Sequence, residues 1–440
     1  MRTNENNGLN LKLQKKSNPK REYWVDLIRV SIVLFVVLYH VLCDFSEDLY
    51  LRGYPFVWNE TFIDGIGWFL MFFDSWQMHI LFLLAGFSMV YSLQKRTYKD
   101  FMKERVSRLG IPLIFGYIIW IAISSFVSLQ FFWKYHPELA SYLFKVDTPP
   151  SFGTYYIWWW WVFRLVNSGH LWFLLALLPL NLIGGKIVSS YFAKKEKEFQ
   201  DKTYSKNSLM NNGQTEPIKS TRLSFGSIGD PASIQDKTKM TKITEQKPVV
   251  DTSKSIIFHP AMMLLYGAIG AQIDALSLWI PIGAFQYSQI IFFGLGISLA
   301  IHIQYLKVIQ KHCKWTFPVA LVLIIGYILL VKIGVPESAV HSVRVIGSFY
   351  LVYSLIGLLS KYVLKPFKII KYLSKASMSI YILHLPLLNI IGFFLCPITF
   401  NPLLKICVLF LLDIGVCLVI YEIIKRINFK PLQLCIGIKS

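Results

Sequence analysis

The sequence predicts an all-α fold, a polytopic membrane helical bundle of about ten transmembrane helices with both termini cytoplasmic. Three observations predict it. Hydrophobic residues make up 54% of the chain and aromatic residues 16%, a balance unlike that of soluble proteins. Apolar stretches of about 17–23 residues recur along the chain, each enough to cross a hydrocarbon core of roughly 30 Å. Lys and Arg gather in alternate connections, and the positive-inside rule places those connections in the cytoplasm.

The first span, VDLIRVSIVLFVVLYH at 25–40, follows a basic tail carrying Lys12, Lys15, Lys16, Lys20 and Arg21. The second centres on Ser88 in SWQMHILFLLAGFSMVYSL. A connection with Lys95, Arg96, Lys99, Lys103, Arg105 and Arg108 leads to the third, centred on Ile119. The fourth, GHLWFLLALLPLNLIGG, is preceded by YYIWWWW, which suits an interfacial aromatic belt. The remaining spans centre on Leu265, Gly294, Ile325, Tyr353, Pro386 and Asp413. Between the fourth and fifth, residues 193–255 turn polar and rich in Lys, Ser, Thr, Asn and Gln. That composition cannot bury enough surface to fold alone and predicts a disordered cytoplasmic loop. The chain thus divides into a basic tail (1–21), a four-span part (22–192), the polar loop (193–255), a six-span part (256–427) and a cytoplasmic tail (428–440).

The net charge of +20 is accounted for by topology and requires no nucleic acid. The first helix is expected to serve as a signal anchor, in the plasma membrane or in an endomembrane if the host is eukaryotic. The six cysteines show no ligand spacing and read as small apolar residues. No HExxH-like pairing, Walker loop or dinucleotide fingerprint is present, so neither a metal nor a permanently bound cofactor is expected.

Chemistry-bearing residues begin in the first helix. Arg29 and His40 are eleven residues apart, which places them within roughly 20° of each other and roughly 16 Å apart along the axis. Asp26 lies one turn before Arg29. One stripe therefore holds a guanidinium near the cytoplasmic edge and an imidazole in the outer half. Arg29 can also snorkel to the inner headgroups, paired with Asp26. Asp44, one turn beyond His40, is placed to orient the imidazole or to end the helix in water. His384 lies mid-span beside Pro386 and near Tyr381. His79, His170 and His341 fall near the outer ends of spans, where a hydrated acceptor cavity can use them.

The Arg–ten residues–His arrangement of Arg29 and His40 resembles the membrane acyltransferase 3 family. MHILFLLAGFSMV, RVSRLGIP, GHLWFLLALL and SMSIYILHLPLL are similar to later segments of that family in the same order. REYWVDLIR and HLWFL look closest to the branch that succinylates periplasmic glucans. The resemblance implies a donor acyl-CoA, acetyl-CoA or succinyl-CoA, and a glycan or lipid acceptor across the membrane. It places the donor phosphates near Arg29, Arg105 and Arg108, with Asp26 beside them. His40 is then a general base or a transiently acylated group, assisted by Asp44 and His384. His79, His170, Trp172 and His341 are expected on the acceptor side. One departure stands out: FLLALL follows Trp172 where many sugar-acetylating members carry a Glu. The other reading is a transporter or channel in which Arg29, His40 and His384 line a solute pathway, since intramembrane ionisable residues mark such routes too.

Overall fold

The structure, a computed structural model, describes residues 22–46, 62–144, 148–162, 169–211, 256–274, 286–363, 365, 367–427 and 429–438. Regular structure among them is entirely helical. In chain order the helices are α1 (Tyr23–Cys43), α2 (Ile66–Asp74), α3 (Gln77–Leu93), α4 (Tyr98–Tyr135), α5 (Pro137–Phe144), α6 (Phe152–Val162) and α7 (Trp172–Asn211). They continue as α8 (Pro260–Asp274), α9 (Ser288–Ile301), α10 (Leu306–Lys332), α11 (Glu337–Tyr362), α12 (Lys368–Leu395), α13 (Pro402–Ile427) and α14 (Lys430–Cys435).

Among the described residues, eight stretches are long and apolar enough to cross a membrane: α1, α2 with α3, α4, α7 and α10 to α13. The spans expected around Leu265 and Gly294 appear as α8 and α9, of 15 and 14 residues. At 1.5 Å per residue the 14 residues of α9 reach only about 21 Å. α9 lies against α3 so closely that a Cβ at Gly86 would strike the Phe293 carbonyl oxygen, and one at Gly296 the Leu83 carbonyl oxygen. Two glycines facing each other's partner backbone let the axes approach, the close packing that small residues permit in membranes.

The polar segment begins differently from the expected loop, because α7 continues past Ala193 to Asn211. Its run of Ala, Lys and Glu at 193–198 consists of strong helix formers, so low hydrophobicity there removes packing without ending the helix. Residues 212–255 lie outside the described residues. The tryptophans at 158–161 are carried by α6, with their side chains outside the described residues. At the start of α4, Thr97 caps the helix by accepting the Asp100 N–H at 3.2 Å, and two widened π-helical turns follow, Val106–Gly110 and Gly116–Ile121.

α1 is gripped along its length. Near its start Trp24 meets Phe87 of α3 edge-on at 5.4 Å, and further along Phe35 stacks on Phe73 of α2 at 5.1 Å. On its other side Asp26 Oδ1 accepts a hydrogen bond from Ser374 Oγ of α12 at 2.9 Å. These anchors make α1 antiparallel to α3 and parallel to α12. The His40 end of α1 therefore lies at the same end of the bundle as Asp74 on α2 and the start of α3.

The α3–α9 contact predicts that Gly86→Ala or Gly296→Ala destabilises the folded protein by about 1–3 kcal/mol, the usual cost of overpacking. Gly294, with nothing within 4 Å of an added Cβ, is the control. Thermal melting in detergent should fall for the first two variants and not for Gly294→Ala. Equal melting temperatures in all three would mean that the helices do not depend on this approach.

Candidate active site

α1 and α12 bring His40 and His384 together, with ring centroids 5.0 Å apart. Their protonation follows from their partners. His40 Nδ1 is 2.7 Å from the Val36 carbonyl oxygen, which can only accept, so the hydrogen is on Nδ1 and the lone pair on Nε2. His384 Nδ1 lies 2.8 Å from the Tyr381 oxygen and 3.2 Å from the Ile380 oxygen, so it too carries its hydrogen on Nδ1. His384 Nε2 is then an acceptor, 3.3 Å from His40 Nδ1. The His40 Nδ1–H is shared between a backbone carbonyl and a second imidazole. His384 is fully buried, whereas His40 is partly exposed.

A proline brings in the third histidine. Pro386 lies inside α12 and has no N–H to give the Ile382 carbonyl one turn earlier. An unsatisfied carbonyl within a membrane is costly. His170 Nε2–H donates to that oxygen at 3.1 Å, and the Tyr381 hydroxyl donates to the His170 carbonyl oxygen. The His170 and His384 rings come to 5.0 Å between centroids. With its hydrogen on Nε2, His170 has its lone pair on Nδ1, a buried atom with no hydrogen-bond partner among the described residues.

The opposite end of α1 carries the cations. Arg29 Nη2 donates to Ser88 Oγ of α3 at 3.1 Å, and Nη1 is 3.5 Å from Asp26 Oδ1. Arg105 lies over the Phe101 ring at 5.0 Å, close enough to Arg29, Arg96 and Arg108 to feel their charges. Its Nε is buried without a partner among the described residues. Glu104 pairs with Arg96 and, at 3.6 Å, with Arg108. Asp26 and Glu104 thus face four guanidiniums, which leaves this end electropositive. Arg96 joins Arg29, Arg105 and Arg108 here, although the sequence alone singled out only those three.

The other expected site residues divide between two places. His170 joins His40 and His384, and Trp172 lies half-buried beside Phe82 and Phe173. Asp44 is fully buried at the end of α1, near Cys396, whose carbonyl oxygen accepts from Lys405 Nζ at 3.0 Å. His79 and His341 belong instead to a second polar network. Arg344 Nη1 lies 3.3 Å from Asp74 and 3.7 Å from Glu337, and Nη2 donates to His341 Nδ1 at 3.4 Å. His341 Nε2–H in turn donates to Asp274 Oδ2 at 3.2 Å. Asp274 Oδ1 accepts the Ser288 N–H at 2.6 Å, and Ser288 Oγ is 3.4 Å from His79 Nε2. Asp74, Asp274, Ser288, Glu337 and Arg344 were not picked out by sequence reading. Arg344 left a signal, a lone guanidinium three residues after His341 in an apolar run.

Comparison with known proteins gives a consistent result. A family model described as an acyltransferase domain, Acyl_transf_3, matches residues 22–184 and 254–422. Its gap brackets most of the polar segment. Glucans biosynthesis protein C of Escherichia coli O1:K1 / APEC is 23% identical over 419 residues, covering 93% of this chain and 92% of that protein. Its counterpart from Escherichia coli strain K12 / DH10B is 24% identical over 167 residues, 37% of this chain and 38% of that one. No solved structure matches the chain.

The proline–histidine link is open to test. Pro386→Ala returns an N–H to the Ile382 carbonyl and competes with His170 for it. Acyl-transfer turnover should fall about tenfold, the worth of one orienting hydrogen bond. The melting temperature should hold or rise, since α12 gains an internal bond. Unchanged turnover would show that the His170 contact is dispensable.

Proposed function

The chain belongs to the Acyl_transf_3 acyltransferase family, and from that premise we propose that it moves an acetyl or succinyl group from cytosolic acyl-CoA to a hydroxyl of a glycan or lipid on the far side of the membrane. The observation that carries the reading is the histidine centre on the stripe that begins at the arginine cluster. The name of the E. coli relatives, which links them to glucan biosynthesis, favours a glycan acceptor.

The chemistry follows from the tautomers. An acceptor hydroxyl gives its proton to His40 Nε2 as its oxygen bonds to the thioester carbonyl carbon. Collapse of the tetrahedral intermediate breaks the carbon–sulfur bond. The departing sulfur takes the proton back from His40, which restores the starting state. While His40 is an imidazolium, its Nδ1–H stays in hydrogen bonds to the Val36 carbonyl and to His384 Nε2. His384 thereby orients the base and stabilises its charge, and His170 holds the α12 backbone on which His384 sits. Asp44, one turn beyond His40, adds a carboxylate on the same helix. Trp172, leading out of the turn that carries His170, walls the acceptor side.

Donor binding falls to the other end of the stripe. The phosphates of acyl-CoA need cations, and guanidiniums grip them with paired hydrogen bonds. Arg29, Arg96, Arg105 and Arg108 supply these, with Asp26 holding Arg29 in place. The buried, unpartnered Arg105 Nε supports such a ligand. On this reading both termini lie in the cytoplasm and His40 in the outer half, so that the acyl group reaches through the protein.

Steady-state kinetics with purified protein and acyl-CoA separates the two ends. Arg29→Ala should raise the donor KM, whereas His40→Gln should lower kcat by about 10²–10⁴-fold with donor binding retained. A His40→Gln enzyme near the wild-type rate would remove the base from this mechanism. Unchanged donor affinity in an Arg105→Ala, Arg108→Ala double variant would return those arginines to a purely topological role.

A further inference from the structure

An open groove runs between the start of α12 and the end of α13. Tyr372 of α12 meets Tyr421 of α13 edge-on at 6.2 Å, so these two helix ends lie side by side. Ser374 of the same α12 turn is tied to Asp26, which puts the groove at the arginine-cluster end of the bundle. It has a volume of about 360 Å³ and is lined by Tyr372 and by Leu418, Val419, Glu422, Ile423 and Arg426 of α13. Its floor is apolar. That floor continues an outward-facing stripe of α13, in which Leu411, Val419 and Ile423 are 67%, 58% and 52% exposed. On a membrane-spanning helix such a stripe faces acyl chains.

The charges around the groove select its occupant. Glu422 is already engaged: its two oxygens accept from Lys425 Nζ at 3.0 and 3.2 Å, and it accepts the Tyr372 hydroxyl hydrogen as well. Arg426, one turn beyond Glu422, is exposed and makes no hydrogen bond or close ion pair among the described residues. On the α12 side, Lys361, Lys365, Lys368, Lys371 and Lys375 are all exposed, and no acidic residue stands between them in the chain. The groove therefore joins an apolar floor to a cationic rim. A molecule with an anionic phosphate head and a hydrocarbon tail meets both parts. The planar guanidinium of Arg426 grips phosphate with paired hydrogen bonds, and the tail covers Leu418, Val419 and Ile423. A free phosphate leaves that floor bare, and a neutral apolar molecule leaves the guanidinium unmet.

We infer that the groove between α12 and α13 binds an anionic phospholipid of the membrane, its phosphate on Arg426 and an acyl chain along Leu418, Val419 and Ile423. The bound lipid has a route to the arginine cluster. Tyr372 faces the groove, and Ser374, two residues on, holds Asp26, which in turn pairs with Arg29 at 3.5 Å. A lipid that steadies this turn of α12 steadies the Arg29 guanidinium. On the proposed function, on which this consequence rests, the lipid lowers the donor KM.

The full chain in mild detergent is titrated with phosphatidylglycerol or with phosphatidylcholine, and the lipid that stays bound is counted by native mass spectrometry, with thermal shift as a second readout. Wild-type protein should retain phosphatidylglycerol in preference to phosphatidylcholine and melt higher with it. Arg426→Gln should weaken that retention by about fivefold or more, the worth of one cation at an anionic lipid. Val419→Trp, which fills the floor and leaves every charge in place, should weaken it as well. Both side chains point outward, so neither variant disturbs the core. Lys314→Gln removes the same charge from the exposed start of α10 and should retain the lipid as wild type does. No preference for phosphatidylglycerol, or equal losses in Arg426→Gln and Lys314→Gln, overturns the site and leaves a general attraction of basic residues for anionic lipid. Wild-type retention in Val419→Trp overturns it too, and so does a dimer that this variant dissociates, which would seat a second copy of the chain in the groove. Lipid retention that follows the expected pattern in a protein without acyl transfer supports the site and counts against the proposed function alone.

Discussion

The hydrogen bond from His40 Nδ1 to His384 Nε2, 3.3 Å long, joins α1 to α12 and fixes which nitrogen of His40 can act as a base. It exists because both rings spend their Nδ1 hydrogens on helix carbonyls of their own segments. Each ring is thereby pinned to its helix, and the position of one helix against the other sets the geometry of the pair. That position is set further down. Asp26 is tied to Ser374 of α12 at 2.9 Å, and Arg29 to Ser88 of α3 at 3.1 Å. Residues at the cationic end therefore hold the helix that carries the base at the other end. The opposite constraint comes from Pro386, whose missing N–H makes the backbone of α12 a binding partner for His170.

Among the described residues, the polar groupings within the bundle include the guanidinium cluster, the histidine centre and the Asp274–Arg344 network. Buried polar networks stand only when their members are satisfied or when a ligand completes them. The first two lie along one stripe of α1, and the third lies across α3 from them. The close approach of α3 and α9, made by Gly86 and Gly296, brings Ser288 within reach of His79. A packing feature with no chemistry of its own thus positions a polar centre.

How much of this was legible in the sequence depends on range. The apolar spans, the basic connections and the Arg29–His40 stripe are local and periodic, so they could be read from residue order alone. The pairing of His40 with His384 could not, because it depends on two helices more than 340 residues apart in sequence. His170 was expected on the acceptor side near the outer end of its span, without a link to His384. Its role follows from a carbonyl that Pro386 leaves free, visible in sequence as SIYILHLP but without its partner. The short α9 was read as a full span because hydropathy averages over a window and does not register where a helix stops. The extension of α7 to Asn211 was missed for the reverse reason, since polarity was taken as disorder where Lys and Glu simply continue a helix. His79 and His341 were grouped with His40 because all three lie near one end of their spans. Depth along a helix is periodic information, but which neighbour a face meets is tertiary.

A double-mutant cycle on kcat tests whether the two imidazoles act as one unit: His40→Ala, His384→Ala and the double variant, assayed with acyl-CoA as donor. Groups that serve a single step are strongly non-additive. The double variant should be no slower than His40→Ala, because His384 acts only through His40. A loss in the double variant equal to the product of the two single losses would contradict this, and would mean that His384 contributes to the reaction independently of the base it touches.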